Sequence, residues 1–226
     1  MTRTGQSGMT VADGPRWRRL EPDTRREQIL DCAVRLFGER PYAAVSTTDI
    51  ARDAGVARGL LNHYFGTKRD LYLEVVRKMV LLPDLDGAVA ATGSLAERVE
   101  RSVDWFLDTV AAHGKTFVAV TGAEGVGDDP EIEQILAEAD DIAARKVLET
   151  VGRGEGADDE QWRAMIRAYG GMVKAAVREW IRHGTLDREQ VHLLLSQALI
   201  TIVRDVLPEV SAQKPRARLA GARTRG

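Results

Sequence analysis

The side chains best suited to recognising another molecule lie close together, between Thr47 and Phe65. Within this stretch Arg58 and Asn62 are four residues apart, and His63 follows Asn62 directly. Arg can form two hydrogen bonds with the edge of guanine, and Asn can do the same with adenine. On one exposed helix face, these residue types would suit the reading of base edges in the major groove of DNA.

Catalytic and metal-binding motifs do not emerge elsewhere in the sequence. Gly114-Lys115-Thr116 ends like a phosphate-binding loop, but Thr109 stands where that motif needs glycine and no strand is predicted before it. The four histidines lack the spacing of metal ligands, and the single cysteine cannot form a disulfide within the chain or a cysteine-based zinc site. The sequence therefore predicts no catalytic residue, no metal and no cofactor, and favours a protein that is not an enzyme.

Length and composition indicate a soluble, cytoplasmic protein of one large domain or two small ones. The chain has 226 residues, of which 44% are hydrophobic and 29% charged. Residues 1–15 contain no apolar run of the kind that a secretory signal needs. The most apolar stretch, Leu193–Val203, is shorter than the roughly 20 residues that span a bilayer. No membrane partner is therefore expected.

Charge is divided unevenly along the chain, although the formal net charge is only −2. Residues 1–80 contain 14 Lys and Arg against 10 Asp and Glu, whereas residues 81–210 contain 13 against 24. Residues 211–226 contain 5 basic side chains and no acidic one. A basic N-terminal unit on an acidic body indicates that one end of the molecule meets a polyanion.

Hydrophobic spacing predicts an all-α fold of about nine helices, because no run alternates apolar and polar residues. The first helix should be capped by Asp23 and end near Arg40. Gly114 and Pro208 are expected to end the helices that precede them. The remaining helices are predicted at Thr47–Ala54, Arg58–Tyr64, Lys68–Leu82, Leu95–His113, Lys115–Thr121, 130–151, 159–183 and Arg188–Leu207.

The stretch from Thr47 to Phe65 has the pattern of a helix-turn-helix unit. Ala51 is small where the second helix must cross the first, and Gly55 tolerates the positive φ of a tight turn. Apolar residues that would face the core follow at Ile50, Ala54, Val56 and Leu61. An ordinary helical hairpin in an all-α protein is the alternative on this pattern alone.

Residues 24–80 resemble the N-terminal domain of TetR-family transcriptional regulators. The resemblance rests on Ile29, Leu30, Leu36, Phe37, Tyr42, Ser46, Thr47, Ile50, Ala51, Ala54, Gly55, Val56, Gly59, Leu61, His63, Phe65, Lys68 and Leu71. The chain departs from the family pattern at three positions. Pro41 stands where Gly is usual, Ala57 where Ser or Thr is usual, and Asn62 where Tyr is usual. An Asn in place of Tyr puts the family's base preference at this position in doubt.

The resemblance implies that the third helix enters the major groove of DNA. Arg58, Leu60, Asn62 and His63 are the candidates for contact with base edges, although Leu60 equally suits local packing. Substituting Asn62 should relax base choice, whereas substituting Lys68 should weaken binding to all sequences alike. The full set of predicted DNA-binding residues is Tyr42, Thr47, Thr48, Arg58, Gly59, Leu60, Asn62, His63, Tyr64 and Lys68.

The last two predicted helices carry a wide apolar stripe, which the resemblance assigns to a homodimer formed as a four-helix bundle. Burial of this stripe inside one monomer is the alternative. The predicted interface residues are Met172, Ala176, Trp180, Val191, Leu195, Ala198, Leu199 and Ile202.

The middle helices should enclose a cavity for a small-molecule effector, again by resemblance. Candidate lining residues are Met79, Trp105, Phe106, Phe117, Met165 and Tyr169, although such bulky residues are also common in cores. The acidic excess of the body would favour a cationic ligand, or it is simply a solvated face that keeps the body away from DNA.

These inferences divide the chain into four parts. They are a disordered arm at residues 1–22, a helix-turn-helix domain at 23–68, a helical ligand-binding and dimerisation domain at 69–210, and a disordered basic tail at 211–226. The function implied is a sequence-specific DNA-binding regulator, a dimeric repressor released from a palindromic operator by an unknown effector. An activator or an effector-independent regulator stays open, as does a helical enzyme or adaptor with an incidental helix-turn-helix.

Overall fold

The computed structural model describes residues 22–81, 92–122, 129–154 and 159–213. These residues form no strand, which confirms the all-α prediction. The helices are α1 (Pro22–Glu39), α2 (Thr47–Asp53), α3 (Arg58–Phe65), α4 (Lys68–Val80), α5 (Leu95–Thr121), α6 (Pro130–Thr150), α7 (Glu160–Arg178), α8 (Arg188–Thr201) and α9 (Leu207–Gln213). A 3-10 turn spans Tyr42–Ala44, and π-helical turns span Glu179–His183 after α7 and Ile202–Val206 between α8 and α9.

Four helices begin directly after a residue whose side chain caps them. Ser46, Thr67, Ser94 and Asp187 each form a capping box, in which the cap and the third helical residue satisfy each other's backbone N–H groups. The first helix differs from the prediction, because α1 already begins at Pro22 and Asp23 lies within its first turn.

One predicted helix break is confirmed and one predicted helix end is wrong. Within α5, His113 has non-helical dihedral angles (φ −137°, ψ 26°), so two helices meet at a kink next to Gly114, where the sequence predicts one helix to end and the next to begin. Gly114 also serves close packing, because an added Cβ would lie 2.9 Å from Ile181. Pro208 does not end the last helix, since the chain continues into α9. The π-helical turn directly before Pro208 widens the helix where the proline ring would otherwise collide.

Two principal hydrophobic cores organise the described part of the chain. The first joins α1–α4 with Val120, Ile132 and Ile135 from α5 and α6. The second lies among α5–α9. The predicted domain boundary after residue 68 falls at the start of α4, whose buried side chains belong to the first core. The helix therefore packs with the helix-turn-helix unit while reaching towards the second core.

The predicted arm and tail fall mostly outside the described residues, which exclude 1–21 and 214–226. Residues 211–213 were expected in the disordered tail but form the end of α9. Trp162 of α7 holds this end in place, because its indole N–H donates to Ser211 Oγ at 3.0 Å.

One helical segment of the described chain, Arg188–Ala212, is long and apolar enough to cross a membrane by length and composition. It exceeds the predicted apolar stretch because the helix continues through the π-helical turn. A single such helix is weak evidence for a membrane span, since core helices of water-soluble proteins pass the same test.

Candidate nucleic-acid interface

A tight turn fixes α3 against α2. Gly55 adopts φ +64°, a conformation that a side chain would strain, and Val56 N–H donates to the Ala51 carbonyl at 2.9 Å. Ile50 on α2 and Leu61 on α3 are completely buried. The turn and the core therefore determine which face of α3 remains outside.

The outer face of α3 is polar and exposed. Arg58, Gly59, Asn62 and His63 are all exposed, whereas Leu60 is half-buried. Tyr64 is also half-buried, with its ring 5.6 Å from that of His63. The structure thus brings the predicted base-reading residues onto one accessible surface, and the burial of Leu60 favours a packing contribution at that position.

Lys68 and Tyr42 form one unit beside this face. The Lys68 ammonium donates to the Tyr42 carbonyl at 2.5 Å and lies 4.0 Å from the centre of the Tyr42 ring. Burial lowers the pKa of Lys68 below its usual range. The Tyr42 ring packs in turn on Phe37 and Tyr72, with ring centres 5.8 and 4.9 Å away. Lys68 is consequently both a candidate phosphate ligand and a support for Tyr42.

Carboxylates occupy the starts of α2 and α4. Asp49 accepts from the Ser46 hydroxyl at 2.8 Å, and Asp70 accepts from the Thr67 backbone N–H at 2.9 Å and from the Thr67 hydroxyl at 2.7 Å. The Ser46 hydroxyl lowers the pKa of Asp49, and the Thr67 N–H followed by its hydroxyl lowers the pKa of Asp70, so both carboxyls carry negative charge at neutral pH. The Ser-x-x-Asp and Thr-x-x-Asp capping patterns were the signal for them.

An ion-pair network ties α4 to the start of α6. The Arg69 guanidinium donates to both oxygens of Asp129, at 2.8 and 2.9 Å, and to Glu131 at 3.0 Å. This pairing holds the pKa of Asp129 below its usual range. Arg77 binds the other Glu131 oxygen at 3.2 Å. About 60 residues separate the partners in sequence, so no local pattern indicated the network.

A hydrogen bond also crosses between the two cores at the contact of α1 with α5. The buried Thr116 hydroxyl donates to the Val34 carbonyl at 2.8 Å. Gly38 makes room for this contact, since an added Cβ would lie 2.3 Å from Thr116 Oγ1. The next residue on α5, Phe117, lines a cavity.

That cavity has a volume of about 480 Å³ and lies among α5–α8 and the end of α4. Four of the predicted effector-site residues line it: Trp105, Phe106, Phe117 and Tyr169. Two do not. Met79 is buried in the first core, and Met165 faces an outer groove, because each lies on the opposite side of its helix from the cavity.

The predicted dimer residues divide between the inside and the outside of the monomer. Ala176, Val191, Leu195 and Leu199 are buried within it, so these four are not surface residues. Trp180, in the π-helical turn after α7, packs against the second core and is half-buried. The helical period turns one part of the wide apolar stripe inwards and another outwards. Met172, Ala198 and Ile202 line the outer groove together with Leu193, Leu194 and Val206. The last three are 62, 42 and 39% exposed, and none of them is among the predicted interface residues.

Family models match both parts of the chain. Residues 29–75 match the model of bacterial regulatory proteins of the tetR family, and residues 95–202 match a tetracyclin repressor-like C-terminal domain. The chain belongs to the TetR family. The resemblance seen in the sequence is thereby confirmed, and the second match extends it to the helical body.

Two curated relatives of this TetR-family chain are regulators of transcription. The HTH-type transcriptional regulator BetI of Rhizobium meliloti is 38% identical over 82 residues, which are 35% of this chain and 40% of that protein. The match therefore spans less than half the length of this relative. The HTH-type transcriptional activator FasR of Mycolicibacterium smegmatis is 25% identical over 170 residues, 74% of this chain and 77% of that protein.

A solved structure shares the fold over nearly the whole chain. The tetR-family transcriptional regulator from Streptomyces coelicolor superimposes with a TM-score of 0.69 and 21% sequence identity. The match covers 89% of this chain and 95% of that one. Both the N-terminal domain and the helical body therefore have the TetR-family fold.

The family's usual cap before the recognition helix is missing in this chain. Ala57 precedes α3 and makes no side-chain hydrogen bond to its first turn. The N–H groups at the start of α3 thus have no side-chain cap, and Arg58 follows directly. An anion such as a DNA phosphate would be attracted to this position.

Proposed function

We propose that this protein is a dimeric transcriptional repressor that binds a palindromic operator and is released by a small molecule in its cavity. The observation that carries the proposal is the exposed polar face of α3, held by a fully buried set of apolar side chains beneath it. A rigid support of this kind keeps Arg58, Asn62 and His63 in a fixed relation to the groove.

On DNA, α3 lies in the major groove with Asn62 directed to an adenine and Arg58 to a guanine. The remaining contacts position the protein on the phosphates and carry little sequence information. They come from Thr47 and Thr48 at the start of α2, and from Tyr42, Tyr64 and Lys68. Thr48 is exposed and Thr47 half-buried, which supports this assignment.

A second copy of the chain covers the outer groove of α7 and α8. The groove carries Leu193, Leu194 and Val206, which are the large hydrophobic side chains left exposed in the described residues. An apolar face of this kind is costly in water and is relieved by a symmetric contact with the same face. Two recognition helices then read two half-sites of the operator.

Ligand binding reaches the DNA-binding unit through α4. The last residues before the undescribed segment, Val80 and Leu81, line the cavity, whereas Lys68 at the other end lies beside the recognition helix. A ligand that displaces the C-terminal end of α4 shifts the helix-turn-helix unit as a body. The Arg69–Asp129 pair makes the start of α6 follow the same movement.

The test is a fluorescence-anisotropy titration of the purified protein against duplexes from its own upstream region, at two salt concentrations. A scrambled duplex of the same length is the control. We expect preference for the upstream duplex, two chains for each palindrome, and weaker binding at higher salt. If a selection from random duplexes also yields no preferred sequence, the proposal is wrong.

The dimer is tested separately by light scattering. Leu194→Glu places a charge in the outer groove and should give monomers that bind the operator far more weakly. Ala112→Glu adds the same charge at an exposed position on α5 and should remain dimeric. A wild-type protein that is monomeric at every concentration would contradict this part of the proposal.

A further inference from the structure

We propose that the ligand of the cavity is an amphiphile with an apolar body and one anionic head group. The inference rests on the proposed function, because it assigns the chemistry of the effector site. It follows from an inventory of the hydrogen-bond donors and acceptors that the cavity wall presents.

The greater part of the wall is apolar. Aromatic rings of Phe106 and Phe117 meet edge to face at 5.9 Å, and Trp105 lies on the same helix. Aliphatic side chains from α5–α8 complete the lining, among them Val99, Val103, Leu136, Val147, Ile166 and Leu195. A ligand body that fits this surface gains by leaving water.

The hydroxyl groups in the wall are already used as donors. Ser102 donates to the Arg98 carbonyl at 2.8 Å, and Thr121 donates to the Phe117 carbonyl at 2.7 Å. Thr150 donates to the Lys146 carbonyl at 2.8 Å, and Tyr169 donates to the Leu195 carbonyl at 3.0 Å. A hydroxyl has a single proton to donate. The wall therefore offers the body of a ligand no hydroxyl donor.

Charged groups in the wall belong only to α6 and α7, and cations predominate. Asp140 and Lys146 come from α6, and Arg167 and Lys174 come from α7. The single carboxylate is engaged, since Lys174 Nζ donates to Asp140 Oδ2 at 2.7 Å. Lys and Arg side chains have donors but no acceptor. The side of the cavity formed by α6 and α7 therefore suits a group that accepts hydrogen bonds and carries negative charge.

The two cations of α7 retain capacity for such a group. Lys174 uses one of its three donors on Asp140. Arg167 uses its guanidinium on Asp141 at 3.0 Å and on Glu160 at 2.5 Å, which leaves part of its five donors. Both side chains are half-buried, so their attraction for an anion is less screened than at an open surface. Asp141 and Glu160 pair with Arg167 from outside the lining, whereas the lining itself carries three cations and one carboxylate. The lining is thus opposite in sign to the acidic body, and the cationic ligand suggested by overall charge is disfavoured.

Calorimetry of the full-length protein with a series of head groups on one twelve-carbon chain tests the inference. The probes are dodecanoate, dodecyl phosphate, dodecanol and dodecyltrimethylammonium. We expect the better of the two anions to bind roughly tenfold more tightly than the alcohol, as for a charge-assisted hydrogen bond, and the cation to bind weakest. The order of the two anions distinguishes a carboxylate from a phosphate head. Equal affinity for anion, alcohol and cation would overturn the inference.

Two substitutions should move the affinity for the anion in opposite directions. Lys174→Met removes a cation and should weaken binding roughly tenfold, whereas Asp140→Asn releases Lys174 and should strengthen it several-fold. Binding of dodecanol should change in neither variant. Lys115→Met, at an exposed position on α5, is the matched control. A loss in both variants would indicate a structural role for the pair and contradict the inference.

Neighbouring glycines on α7 provide a test of location. An added Cβ meets nothing within 4 Å at either Gly170 or Gly171, but only Gly170 lines the cavity. Gly170→Leu should abolish binding of the anion, so operator binding should no longer respond to it. Gly171→Leu should retain both anion binding and the response of operator binding to the anion. Unchanged anion binding in Gly170→Leu would overturn the site. Because calorimetry is done without DNA, a failure of the head-group series is distinguishable from a failure to bind an operator.

Discussion

The helix-turn-helix unit and the helical body are both built from apolar helices, yet only one of them is filled. Beneath α3, Ile29, Ile50, Leu61 and Leu71 are completely buried and none lines the cavity. In the body, α5–α8 surround about 480 Å³ of space. A filled core resists deformation because its side chains have no alternative packing. The comparison indicates a rigid helix-turn-helix unit joined to a helical body that can change shape around a ligand.

The contact between the two regions combines apolar packing with a few polar contacts. Val120, Ile132 and Ile135 of α5 and α6 pack into the first core. The Thr116–Val34 hydrogen bond with its adjoining Gly38 and the ion pairs of α4 with α6 add to this packing. Movement in the body can reach the helix-turn-helix unit through these contacts among the described residues. The following predictions test how different the two regions are and how they are joined.

The largest expected effect comes from removing a side chain from the filled core. Leu61→Ala should lower the free energy of unfolding by about 3 kcal/mol, because the surrounding helices cannot close the space. Leu195→Ala, whose side chain is equally buried but borders the cavity, should cost only about 2 kcal/mol since fewer contacts are lost. Urea unfolding of both variants gives the comparison. Equal losses would show that the two regions are packed alike.

A smaller effect is expected where the regions meet. Gly38→Ala places a Cβ 2.3 Å from Thr116 Oγ1 and 2.9 Å from Thr116 N, so it should destabilise the protein by about 2 kcal/mol. Gly59→Ala is the control, because its added Cβ meets nothing within 4 Å and should not lower the melting temperature. Identical thermal unfolding of Gly38→Ala and wild type would mean that the contact is loose.

On the exposed face of α3, a substitution should change the recognition of DNA without changing the free energy of unfolding. Asn62→Ala should lose about 1.5 kcal/mol of discrimination at one base pair, and its exposure leaves the free energy of unfolding unaltered. Lys68→Ala should instead weaken binding to all duplexes and reduce the salt dependence. Competition titrations with single-base operator variants separate the two. A uniform loss for Asn62→Ala would remove it from the base-reading set.

The smallest effect concerns acid stability. Arg69 lowers the pKa of Asp129 in the folded protein, so this pair stabilises the fold above the pKa of an unfolded Asp, about 3.9. The contribution is lost as pH falls through the lower, folded value. Asp129→Asn should therefore be less stable than wild type at pH 7, and this difference in stability should become smaller in acid. Melting temperatures between pH 2 and pH 7 measure this, and a constant difference would contradict the linkage.

Local patterns in the sequence were sufficient to predict most helix starts and the exposed polar face of α3. Ser46 and Thr67 cap α2 and α4 through contacts three residues away, and the polar face of α3 follows from its own periodicity. The same holds for the helix break at His113. The continuation through Pro208 and the packing of Ile181 on Gly114 were missed, because each depends on helix geometry or packing beyond the local pattern. Ile181 against Gly114 is a contact across 67 positions of the chain.

The sequence by itself determined the all-α class, the TetR-family unit and the residues that lie on its exposed helix, because these depend on interactions within a few residues. Only the tertiary structure decided which half of the apolar stripe on α7 and α8 is buried, which bulky residues face the cavity, and that the charges in its wall are mainly positive. These features depend on how helices rotate against distant neighbours, and a helical stripe does not specify its partner.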